Sequence, residues 1–66
     1  MWPKLPRSWD LNFMSPVKVE YEHKKDRTKF MIHKRGEQVR YKVSRDDVNI
    51  EGDERKKLFK LFGLEE

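Results

Sequence analysis

The sequence predicts an α+β fold: a three-stranded antiparallel β-meander with a C-terminal helix packed on one face, preceded by an aromatic, proline-rich N-terminal arm. Three observations carry this. Segments between Pro16 and Ser44 alternate apolar and polar residues with the two-residue period of half-buried strands. The stretch from Asp53 to Gly63 carries apolar residues at helical spacing between a capping residue and a glycine stop. The length, 66 residues, allows one domain with one core, assigned to residues 16–66, with residues 1–15 as the arm.

The arm holds Trp2, Pro3, Leu5, Pro6, Trp9, Leu11, Phe13 and Met14, and Pro16 follows it. Its prolines and irregular apolar spacing predict an extended or kinked path with one short helical turn from Ser8 to Leu11. A domain this small needs its large apolar groups inside, so the arm is expected to dock and help close the core.

The first strand follows from Val17, Val19 and Tyr21 alternating with Lys18, Glu20 and Glu22. Phe30 and Ile32 define the second, set between Lys29, Met31 and His33, and Val39, Tyr41 and Val43 the third. A slip of one residue would turn an apolar set to water, so Tyr21 is expected opposite Phe30 and Val19 opposite Ile32, with a loop centred on Lys25 and Asp26. The same parity places Ile32 opposite Val39 and Phe30 opposite Tyr41, joined by a two-residue Arg35-Gly36 turn.

Beyond the third strand, Ser44 stands three residues before Asp47, a spacing that predicts one helical turn over 44–48. The final helix begins with Asp53 as N-cap and buries Leu58, Leu61 and Phe62. Gly63 stops it in a Schellman motif that folds Leu64 back over Phe59.

Composition narrows the function. The chain has no cysteine, which removes disulfides and thiolate metal sites and fits a reducing, cytoplasmic location. No segment reads as a signal peptide, and no apolar run approaches the roughly 18 residues of a membrane span. Charged residues form 42% of the chain, yet strand periodicity and the aromatic residues argue for a folded unit. Net charge is +4, divided as +1 over residues 1–16, +5 over 17–44 and −2 over 45–66, so positive potential gathers on the sheet.

Enzyme chemistry is not expected. His23 points toward the apolar face and His33 toward the outer face, so neither serves a shared serine or threonine nucleophile, and they form no spaced metal pair. Glu20 and Glu22 share a face beside Lys18 and Lys29, without the cleft that separates the pKa values of catalytic carboxylates. The three glycines are isolated, so no phosphate-binding loop is present. No cofactor and no metal are called for.

The outer face is the candidate site. The registers above give rows of Glu22, Lys29 and Lys42, then Glu20, Met31 and Arg40, then Lys18, His33 and Gln38. Lys29 facing Lys42 is an unfavourable like-charge pair that a phosphate would relieve. The sequence therefore predicts a small, basic, non-enzymatic binding module for nucleic acid, DNA or RNA. Lys29, Arg40 and Lys42 are the first contacts, Lys25, Arg27, Lys34 and Arg35 flank them, and Met31 and His33 lie between. The competing reading is a protein-binding adaptor or inhibitor, or a self-associating chain, that uses Trp2, Trp9 and Phe13 of the arm. A membrane partner is not expected.

The order of three strands and a helix resembles chromodomain-like and archaeal chromatin-protein modules, integrase arm-binding domains and the double-stranded-RNA-binding fold. From Lys29 to Leu64, with Gly36 in the hairpin and Gly63-Leu64 closing the helix, the pattern also resembles RNA-cleaving toxins of the HicA type. Those toxins carry a histidine in a Gly-Ser-His context before the second strand. Asp26, Arg27 and Thr28 stand there in this chain, so that activity is not carried over.

Overall fold

The computed structural model describes residues 2–64. It is an α+β architecture with one antiparallel sheet of five strands in chain order: β1 (Trp9–Met14), β2 (Lys18–His23), β3 (Lys29–Arg35), β4 (Gln38–Arg45) and β5 (Val48–Asn49). One helix, α1 (Asp53–Leu61), follows. The sheet thus has two strands more than the expected meander, one at each edge.

The central hairpin forms in the expected register, with Tyr21 opposite Phe30 and Val19 opposite Ile32. Its four-residue connection, Lys24 to Arg27, is closed by the His23 amide donating to the Thr28 carbonyl at 2.8 Å. Arg27 takes the left-handed conformation there (φ 63).

The next hairpin differs by two residues. Ile32 pairs with Tyr41 and Phe30 with Val43, while Arg35 pairs with Gln38, so the turn is Gly36-Glu37 rather than Arg35-Gly36. Turn chemistry explains the shift. A primed turn centred on Arg35 and Gly36 with both residues at positive φ would force Arg35 into the left-handed region. Gly36 in the first central position (φ 63), followed by a residue at negative φ, satisfies the type II′ pattern without that strain. A shift of two preserves parity, so each side chain keeps its expected face.

The predicted helical turn over 44–48 is a second tight hairpin. Asp46 and Asp47 both have positive φ (52 and 63), the pattern of a type I′ turn, and Ser44 pairs with Asn49. Short carboxylate side chains tolerate this conformation, and it outcompetes the capping geometry that the Ser-x-x-Asp spacing suggests.

The arm docks as expected, but largely as a strand. Residues 6–9 turn, with the Trp9 amide donating to the Pro6 carbonyl at 3.2 Å, and β1 then pairs with β2 from Trp9↔His23 to Met14↔Val19. No helical turn forms from Ser8 to Leu11, because pairing with β2 satisfies the backbone there. Asn12 is an extra residue: Leu11 faces Tyr21 and Phe13 already faces Glu20, a β-bulge. Ahead of the strand, the Trp2 indole donates to the Ser15 carbonyl at 2.9 Å and the Tyr21 hydroxyl to the Pro3 carbonyl at 2.6 Å. Burial pushes the Tyr21 phenol above its ordinary pKa.

The core lies between α1 and the sheet face carrying Trp9, Val19, Tyr21, Phe30, Ile32 and Val43. Phe62 is its hub, with ring centroids 4.3 Å from Phe30, 4.8 Å from Tyr21 and 5.1 Å from Trp9. Phe59 fills the other half against Phe30 and Tyr41. The helix is rotated from the expected stripe: Phe59 is buried and Leu61 is exposed. Gly52 rather than Asp53 is the N-cap. The stop is a Schellman motif, with Leu64 N–H donating to Phe59 C=O at 2.8 Å and Gly63 N–H to Lys60 C=O at 2.9 Å, and Leu64 packs on the core as its sequence position predicts.

Candidate nucleic-acid interface

The face of the sheet opposite α1 is built from positions whose parity sends them away from the core. Pairing across the strands gives three rows: Asp10, Glu22, Lys29 and Ser44; then Phe13, Glu20, Met31 and Lys42; then Lys18, His33 and Arg40. Arg35 and Gln38 extend it beyond the last row. The two-residue shift of β4 removes the expected Lys29–Lys42 confrontation, since Lys29 faces Ser44 and Lys42 faces Met31. Like-charge repulsion across that pair therefore gives no reason for an anionic ligand.

Charge pairing sorts the face into two halves. On the β1 and β2 side two of the three acids, Asp10 and Glu22, are engaged, and Glu20 has no ion pair among the described residues. Asp10 lies 3.7 Å from Lys24, and Glu22 contacts Arg27 at 3.3 Å while accepting a 2.8 Å hydrogen bond from Asn12. On the β3 and β4 side, no carboxylate among the described residues lies within ion-pair distance of Arg40, Lys42 or Arg35. Arg40 and Lys42 are exposed, His33 is exposed, and Met31 is half-buried between them.

Met31, His33, Arg40 and Lys42 also border a groove of about 450 Å³ at the edge of β4, where Asn49, Glu51 and Arg55 form the far bank and Glu51 supplies its one carboxylate among the described residues. The groove floor is apolar, with Tyr41, Val43 and Ile50. Four of the predicted contacts are thus brought to one place, with Arg35 at the end of their face.

The remaining predicted contacts lie elsewhere. Lys29 and Arg27 border a separate depression of about 220 Å³ with Ser44, Asp46 and Asp47, whose carboxylates offset the positive potential. Lys25 is exposed in the β2–β3 loop, its amide donating to His23 Nδ1. Lys34 has the parity of the core face, and its ammonium sits 4.7 Å from the centre of the Trp2 ring, a cation–π contact on the other side of the sheet.

Of the arm residues, Trp9 is 3% exposed and belongs to the core, Trp2 is half-buried against it, and Phe13 is 49% exposed. Phe13 is the addition that alternation could not supply. Unbroken pairing would have put it beside Trp9 and Leu11 toward the helix. The extra residue at Asn12 swings it to the outer face, 5.7 Å from the Lys18 ammonium. Lys18, already on this face by parity, joins the site through the same contact. A signal was present in the adjacent Phe13-Met14 pair, since two successive apolar residues in a strand must face opposite ways.

Below the sheet edge, Asp26, Thr28, Arg45 and Glu54 form a polar network joining the β2–β3 loop, β4 and α1. A hydrogen bond from the Thr28 hydroxyl holds the Asp26 carboxyl below its ordinary pKa, and the bond to Glu54 raises that of Arg45. Every member has a partner, so the network is structural. Among the described residues no group of three His, Cys, Asp or Glu side chains is placed to hold a metal ion, and no helix is long and apolar enough to cross a membrane.

Compared with known proteins, the chain matches no protein-family model, no curated protein and no solved structure at a significant level. The resemblances drawn from element order therefore rest on element order alone.

Proposed function

We propose that this chain is a non-enzymatic module that binds nucleic acid through the outer face of β3 and β4. One observation carries the reading: Arg40 and Lys42 stand side by side on an exposed face, continued by Arg35 and His33, with no carboxylate among the described residues at ion-pair distance from Arg40, Lys42 or Arg35, while Asp10 and Glu22 are engaged by other groups. Unneutralised cations on a rigid sheet favour a polyanion, and phosphate contacts of this kind give binding that is tolerant of sequence and sensitive to salt. The groove beside Arg40 and Lys42 gives the bound strand somewhere to settle.

The adaptor reading is weakened by the burial of Trp9 and the docking of Trp2, which leave Phe13 as the exposed aromatic of the arm. Titration of the full chain with DNA and RNA oligonucleotides at low ionic strength tests the proposal. Saturable binding is expected, weakening steeply as salt rises, and a double Arg40→Glu, Lys42→Glu variant is expected to lose it while retaining its thermal transition. Failure of DNA and RNA alike to bind, or binding indifferent to the double variant, would overturn the assignment.

A further inference from the structure

The bulge at Asn12 changes the chemistry of the outer face. It puts an aromatic ring, Phe13, in the row that runs through Glu20 and Met31 to Lys42. This row crosses four strands, a span of roughly 14 Å at ordinary strand spacing. Its apolar members, Phe13 and the half-buried Met31, are flanked by Lys18, His33 and Arg40 in the neighbouring row.

Scattered exposed apolar residues are ordinary on a small domain. Here, however, the ring is delivered by a specific departure from regular pairing. That departure is accompanied by the Asn12 amide donating to Glu22 at 2.8 Å, and it turns to the outer face an aromatic side chain that regular pairing would have directed to the helix side.

Resting on the proposed function, we infer that the ligand is single-stranded nucleic acid, with a base stacked on Phe13 and a second base against Met31. A duplex hides the π-faces of its bases within the stack, so a flat sheet reaches only its phosphates. An unpaired strand offers both phosphates and base faces, and a four-stranded sheet with an exposed aromatic suits two or three unstacked bases. Glu20 lies within the Phe13–Met31 row and repels phosphate, so the backbone follows the row of Lys18, His33 and Arg40 while the bases lie over Phe13 and Met31. From there the strand continues into the groove at the edge of β4.

The test is fluorescence anisotropy of the full chain with labelled ten-nucleotide single strands, as DNA and as RNA, and with the duplex of the same sequence. Phe13→Ala, Phe13→Tyr and the Arg40→Glu, Lys42→Glu double variant are measured alongside wild type, each checked by thermal melting. Single strands are expected to bind at least tenfold tighter than the duplex. Phe13→Ala is expected to weaken single-strand binding about tenfold or more with an unchanged salt slope and unchanged duplex binding, and Phe13→Tyr to restore it.

If the duplex binds as tightly as the single strand and Phe13→Ala changes nothing, while the charge-reversed double variant still abolishes binding, the stacking inference fails and the nucleic-acid reading survives. No binding to any of the oligonucleotides removes both. A preference between the DNA and RNA strands, if Phe13→Ala weakens both, supports the inference and identifies the favoured sugar.

Discussion

Arg45 donates its Nε–H to the Thr28 hydroxyl at 2.9 Å, joining residues 17 apart in sequence, and Thr28 in turn donates to Asp26 at 2.6 Å. Thr28 is the one buried polar residue among those described, 1% exposed, and its hydroxyl relays between a cation and a carboxylate. A Thr28→Val substitution keeps the shape and deletes both bonds. The expected loss is about 1–3 kcal/mol, read from urea denaturation, with a lowered melting temperature.

Acid sensitivity follows from the same contact. Folding lowers the Asp26 pKa below its ordinary 3.8, first through the Thr28 hydroxyl. The unfolded chain therefore takes up this proton at a higher pH than the folded one. The stabilisation is complete above pH 3.8 and is lost as pH falls through the lower folded value. Denaturation measured across this acid range should show wild-type stability rising with pH, and Asp26→Asn should flatten that part of the slope.

Two adjacent positions at the end of α1, Leu61 and the C-cap Phe62, should differ sharply. Phe62 is 5% exposed and touches three rings, so Phe62→Ala should cost about 3–5 kcal/mol, comparable with the whole stability of so small a domain, and leave it largely unfolded by circular dichroism. Leu61 is 51% exposed, and Leu61→Ala should stay within about 0.5 kcal/mol of wild type.

The Asp46-Asp47 turn offers a stabilising change. Both residues hold positive φ, and glycine adopts that conformation without the steric penalty. Asp47→Gly is expected to raise the urea midpoint by the equivalent of about 0.5–1 kcal/mol with an unchanged slope. Gly36→Ala should move it the other way by about 1 kcal/mol: apart from the turn's own adjoining residues no atom lies within 4 Å of the added methyl, so the cost is backbone strain at φ 63.

These positions also mark where the sequence was legible. Alternation on two neighbouring strands, Val19 and Tyr21 against Phe30 and Ile32, left one sensible register, and the sheet adopts it. Between Ile32 and β4, parity fixed the faces but admitted shifts of two, and the preference for glycine at the first turn position decided among them. β1 was hidden because prolines precede it and Asn12 interrupts its period, and β5 because Ser44 and Asp47 mimic a helix cap. The outer-face positions of Met31, His33, Arg40 and Lys42 came from parity. The separation of Lys34, Lys25 and Arg27 from them, and the arrival of Phe13, depended on which face and loop each occupies in three dimensions.

Each strand of the sheet neighbours the one made just before it, so every hairpin can zip locally with short loops to close. The rings that cover the resulting greasy surface, Phe59 and Phe62, come from α1 and its C-cap, after all five strands. During synthesis a nascent sheet would therefore wait uncovered until Phe59 and Phe62 had left the ribosome. Any truncation ahead of Phe59 would yield a sticky ribbon in place of a protein.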